Sequence, residues 1–155
     1  MPPTAPSIQV LLASLSGTQI GFPADSVHEI VRAVAIAPLP GAPAIIEGAI
    51  NLHGRIVPVV DVRRRLELPP EPLAPDQFLI ALEARDRIIA VRVDDVEDVI
   101  EIASSSLVSQ ASVSPLLDRL EGIASVSGGA LVVYDVNAFL TQAEGEALDQ
   151  AAART

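Results

Sequence analysis

The sequence predicts a mainly β fold of two small barrels set side by side, with short helices. Three observations carry that reading. Short apolar runs recur between breaks rich in glycine and proline, which is strand-and-turn patterning. Two stretches of the chain repeat one another. Between the two halves, residues 67–76 hold four prolines (Pro69, Pro70, Pro72 and Pro75), the composition of a linker.

The elements follow in order. Residues 8–15 predict a strand, Ser16-Gly17-Thr18 a turn, and residues 19–22 a second strand. A short helix is expected from Ser26, because Ser26 and Glu29 have capping-box spacing and Val27, Ile30 and Val31 form an apolar stripe. Pro38, Pro40, Gly41 and Pro43 then force an extended, turning path. Residues 49–52 and 55–62 predict strands about a turn at His53-Gly54, with Pro58 asking for an edge position or a bulge. After the linker, residues 77–83 and 87–93 predict strands about Arg85-Asp86, and Asp94 or Asp95 caps the next turn. Residues 122–136 predict a hairpin turning at Gly128-Gly129, where positive φ costs glycine little. Asn137 is expected to cap a last helix carrying Phe139, Leu140 and Ala143, with residues 151–155 frayed.

The repeat is gap-free. GAINLHGRIVPVVDVRRRL, from Gly48, and GIASVSGGALVVYDVNAFL, from Gly122, coincide at Gly48/Gly122, Gly54/Gly128, Val59/Val133, Asp61/Asp135, Val62/Val136 and Leu66/Leu140, an offset of 74 (122 − 48). Asp25, Val27, Ile30 and Val31 fall likewise on Asp94, Val96, Val99 and Ile100, an offset of 69 (94 − 25). Each half has too few residues for a large core of its own, so two copies would share apolar surface and leave a groove at their junction.

Composition limits the function. The chain has 155 residues, half of them hydrophobic but only 3% aromatic, so its core must be aliphatic. Its formal net charge is -10 and every basic residue is arginine, which disfavours nucleic acid and anionic membranes as partners. Without cysteine there is no disulfide, thiol nucleophile or thiolate metal site, which fits a reducing compartment. Residues 1–7 lack a signal-peptide pattern and no run is long enough to span a bilayer, so a soluble cytoplasmic protein is expected. His28 reads as a solvated helix residue, and with His53 it lacks metal-ligand spacing. Absence of lysine excludes a phosphate-binding P-loop. Ser104-Ser105-Ser106 reads as a polar loop, Asp94, Asp95, Glu97 and Asp98 as a solvated acidic face, and Arg63-Arg64-Arg65 as a surface turn. No catalytic residue, metal or cofactor is therefore expected. A mean hydropathy of +0.43 points instead to apolar surface left exposed for partners.

The block VHEIVRAVAIAPLPGAPAIIEGAINLHGRIVPVVDVRRRL, from Val27 to Leu66, resembles the CheW-like family. Members show a V-x-E-V/I helix, a P-x-x-P turn with G-x-P-type variants, G-x-x-N-L-R-G and x-V-P-V-x-D-L. AVRVDDVEDVI and the Gly122 hairpin fit as well, so the resemblance covers about residues 8–140. It implies two SH3-like five-stranded β-barrels sharing a core. One would take about residues 20–85, the other 8–19 with 86–140, and 141–155 would be a terminal helix or frayed tail. The implied role is that of a chemotaxis adaptor without catalysis. It would couple the cytoplasmic tip of methyl-accepting chemoreceptors to the regulatory domain of the histidine kinase CheA, in arrays where self-association in rings is also possible. Receptor docking would fall on Val27, Glu29 and Ile30 with Asn51, Leu52, His53 and Gly54, and kinase docking on Gly48 and Ile56. Two bland alternatives stay open: Val27 and Ile30 as plain core, and Asn51 as a partner for its own turn. His53 departs from the family, which usually carries arginine there; histidine is smaller and titrates near neutral pH. Service in a non-flagellar or surface-motility system, or mainly self-assembly, are the competing roles.

Overall fold

In β1 (Ser7–Leu15) alternate side chains leave opposite faces of the strand, and both faces are apolar. Leu11, Ala13 and Leu15 enter one core cluster, Val10 and Leu12 another. The same holds for β6 (Phe78–Glu83), where Ile80 and Leu82 join the first cluster and Leu79 a third. Strands buried on two sides contribute to the high hydropathy. The computed structural model describes residues 7–84, 87–103, 120–126, 129–134 and 136–153.

The remaining elements are β2 (Thr18–Pro23), β3 (Val27–Arg32), β4 (Ile46–Leu52), β5 (Arg55–Val60), α1 (Val62–Arg65), β7 (Ile88–Val93), β8 (Asp95–Ala103), β9 (Leu120–Val126), β10 (Gly129–Tyr134) and α2 (Gln142–Ala153). They form two five-stranded sheets, ordered β3-β6-β7-β5-β4 and β8-β1-β2-β10-β9, each an SH3-like barrel. Each barrel has its own aliphatic interior. A larger shared core lies between them and holds Phe22, Tyr134 and Phe139, the Phe22 and Phe139 rings packed edge to face at 6.0 Å.

The repeat is visible in the register. Leu11 faces Phe22 as Ile80 faces Val91, and Ala13 faces Ile20 as Leu82 faces Ile89, all at offset 69. Gly48 faces Val59 as Gly122 faces Val133, at offset 74. Even the bulges correspond: β3 shifts between Val27 and Glu29, and the β1–β8 ladder shifts between Leu11 and Ala13.

Several expectations are corrected. No helix starts at Ser26: one 3₁₀ turn, Ala24–Ser26, leads directly into β3, and no side chain caps it. The β-branched residues Val27, Ile30 and Val31 gain a full ladder to β6, which an isolated helical turn lacks. β5 is an interior strand, not an edge. Its parallel pairing to β7 is confined to Val59 and Val60, so Pro58 occupies a stretch where no donor is needed on that side. The subdomain limits drawn near 20 and 85 would cut two hairpins. The pairing keeps β1 with β2 in the second barrel and β6 with β7 in the first. β10 already begins at Gly129; Gly128 and the Arg85-Asp86 turn lie outside the described residues, as do Ser104-Ser105-Ser106. Asn137 sits in a 3₁₀ turn, Val136–Phe139, and α2 starts only after Thr141, whose hydroxyl accepts the Glu144 N–H at 3.1 Å while Glu144 accepts the Thr141 N–H at 2.9 Å. Ala151 is buried within α2 rather than frayed. The proline-rich linker is pinned. Arg92, itself buried, donates to the carbonyls of Glu71 and Pro72 at 2.8 and 3.3 Å, and to Glu47 at 2.7 Å.

Candidate docking surface

The hairpin between β4 and β5 turns on two residues in the left-handed region, His53 (φ 53°) and Gly54 (φ 86°), as a tight two-residue hairpin turn requires. Asn51 locks it, its Oδ1 accepting the Gly54 N–H at 2.7 Å. The turn holds the exposed His53 ring outward, and its Nε2 meets both carboxylate oxygens of Glu29, at 2.8 and 3.0 Å. Glu29 belongs to β3 and His53 to the turn that follows β4, and β3 and β4 are the two outer strands of the first sheet. The pair therefore bridges the edges where that sheet closes on itself.

Glu29, Asn51, His53 and Gly54 thus come together. Val27 and Glu29 are half-buried and Ile30 is 38% exposed; the bulge after Val27 sets Val27 and Ile30, opposite Leu82 and Ile80, on one face of β3 and Glu29, opposite Ala81, on the other. Val27 borders the shared core. Leu52 is buried in the first barrel's interior and offers no side chain to a partner. Gly48 is buried too. A Cβ there would overlap the Ala37 carbonyl oxygen and approach Ile36 Cγ2 to 2.7 Å, because Ala37 pairs with Ala49 through two backbone hydrogen bonds of 2.9 and 2.8 Å. Ile56 is 64% exposed. It lines a groove of about 1040 Å³ together with Ile50, Pro58 and Leu39 and with Leu148 and Asp149 of α2. Arg55 also lines this groove, so it does not stand in for His53 beside Glu29.

Two features escaped the sequence reading. Val99, on β8, is 48% exposed and is the counterpart of Ile30 at offset 69, so the repeat itself held the signal. The second is an ionic clamp between barrels. Arg63 is not in a surface turn but 2% exposed, donating to Ser16 Oγ at 2.6 Å and to Asp94. Asp94 does not cap a following turn; it accepts the Ser16 N–H at 2.8 Å. Burial alone would raise the Asp94 pKa, but the Ser16 N–H and the Arg63 guanidinium outweigh it and hold the carboxyl below its usual value. His28 lies on a strand, its Nδ1 3.4 Å from Glu83. Among the described residues no group of three or more histidines and acids is placed to hold a metal ion.

Fold and surface together define the class: a duplicated double-barrel β protein with a rigid hairpin tip, an apolar groove and isolated exposed aliphatic side chains. The family model of the CheW-like domain matches residues 9–144, and the chain belongs to that family. A probable chemotaxis protein CheW of Rhizobium etli is 26% identical over 124 residues, covering 79% of this chain and 80% of its own. The crystal structure of the scaffolding protein TtCheW from Thermoanaerobacter tengcongensis superposes with a TM-score of 0.79 at 28% identity, covering 87% of this chain and 93% of that one. A chemotaxis protein CheA of Halobacterium salinarum is 27% identical over 132 residues, which span 85% of this chain but 18% of CheA.

Proposed function

We propose that this chain is a non-catalytic chemotaxis adaptor that couples the cytoplasmic tip of chemoreceptors to the regulatory domain of the kinase CheA. One observation carries the reading: the chain matches CheW relatives over most of their length and also matches a limited stretch of a CheA. A kinase that contains a module of the adaptor's own kind can alternate with it through head-to-tail contacts, which close into rings when the rotation allows. The work is done on the cytoplasmic side, with recruitment to membrane-bound receptors; no described helix is long and apolar enough to cross a bilayer.

Two surfaces divide the partners. The receptor tip, a helical hairpin, docks on the corner of Glu29, Asn51, His53 and Gly54, with exposed Ile30 at the adjoining position of β3, a helix-against-surface mode. The kinase docks at Ile56, the largest exposed aliphatic beside the groove. Titrating each partner into Ile56→Asp and His53→Ala variants tests the division. Ile56→Asp should weaken the kinase domain at least tenfold and leave the receptor tip within twofold, while His53→Ala does the reverse. Failure of the unmodified chain to bind either partner would overturn the adaptor reading altogether.

A further inference from the structure

α2 is covalently continuous with the second barrel, through β10 and the 3₁₀ turn that follows it, yet its charged anchors are on the first. Arg65, at the end of α1, pairs with Glu144. Arg87, just before β7, grips Asp149 with two hydrogen bonds of 2.9 and 3.1 Å and reaches the Gly145 carbonyl at 3.5 Å. Gly145 leaves room for that arginine, since a Cβ there would sit 3.3 Å from Arg87 Nη2. The helix buries little: Gly145, Leu148 and Ala151, of which Leu148 alone is a large aliphatic. Twelve residues with an internal glycine make a marginal helix in isolation. Residues 145–153 lie beyond the stretch matched by the family model.

We infer that α2 is a releasable strap, fastened to the first barrel by Arg65 and Arg87 and walling the groove at Ile56. Leu148, Asp149 and Ala152 form that wall. When the arginine grips are lost, the helix loses its anchors and melts as a local unit, while the double-sided strands beneath keep their ladders. The groove then gains the surface that Leu148 covered.

Hydrogen exchange on the full chain, read by mass spectrometry, tests this without any partner. In the Arg65→Gln/Arg87→Gln double variant the amides of residues 143–153 should exchange at least tenfold faster than in the unmodified protein, with those of β6 and β7 unchanged. The exposed Asp149→Asn substitution, which does not touch the core, should move the same amides in the same direction by a smaller factor. The double variant should also enhance the fluorescence of an apolar dye such as anilinonaphthalene sulfonate. Unchanged protection of α2, or loss of protection in β6 and β7 together with α2, would overturn the proposal.

Discussion

At Gly48 the backbone of residue 37 lies where a side chain would begin. Because that backbone is held by two hydrogen bonds to Ala49, it cannot yield cheaply, and Gly48→Ala is expected to cost about 2 kcal/mol, within the usual range for overpacking. A shift in the urea midpoint checks this; an unchanged midpoint would contradict it. The buried Arg63 makes Asp94 equally sensitive. Removing one member of a buried pair usually costs roughly 3–5 kcal/mol, and the partial exposure of Asp94 sets Asp94→Ala at the lower end, about 3 kcal/mol. The pH dependence has a definite sign. A carboxyl whose pKa is lower in the folded state stabilises above its unfolded pKa of about 4, and that contribution fades as pH falls through the lower folded value. Unfolding curves of Asp94→Asn should therefore depend less on pH below about 4 than those of the unmodified protein. His53 instead makes an exposed hydrogen-bonded contact to Glu29, so His53→Arg should leave stability nearly unchanged and alter receptor-tip affinity more than kinase affinity; equal changes in the two titrations would refute this.

Among the elements, strands and hairpins were legible, and so was a helix within residues 141–155, while the helix expected at Ser26 was not there. Residues 8–15 and 19–22 announce a hairpin because alternation and a glycine turn agree, and the pairing of β1 with β2 follows. Ser26 and Glu29 carried a helix signal that the ladder to β6 overrode, since register with a neighbour is a long-range property. The working capping box was present in the sequence as Thr141-Gln142-Ala143-Glu144, hidden behind the nearer candidate Asn137. Thr141→Ala should weaken α2 by about 1 kcal/mol, seen as roughly fivefold faster exchange of its amides and none elsewhere. Of the docking corner, the turn at His53-Gly54 and the bond within it were readable from residue types. The meeting of His53 with Glu29 was not, because it depends on how the outer strands of the sheet close. Arg63, Arg65 and Arg92 were unreadable for the same reason: their partners are remote in sequence, and three arginines in a row look like surface.

For the molecule as a whole, the duplication was the most informative pattern, since matching offsets require matching ladders. It did not show that each barrel borrows stability from the other. Strands β1 and β6 bury one face in their own barrel and the other in the shared core. A fragment of residues 24–94, carrying the first barrel alone, would leave Ile80, Leu82, Ile89 and Val91 open to water. It is expected to aggregate or to unfold without a sharp transition; a cooperative melt would count against the shared core as a necessity. The threading of the chain has a further consequence. β2 finds its parallel neighbour β10 only after roughly 100 further residues have been made, about 5–20 s of synthesis at ordinary translation rates. During that interval the β1–β2 hairpin carries apolar side chains on both faces without the strand that completes its sheet. The earliest hairpin of the fold is thus among the last to gain all its neighbours.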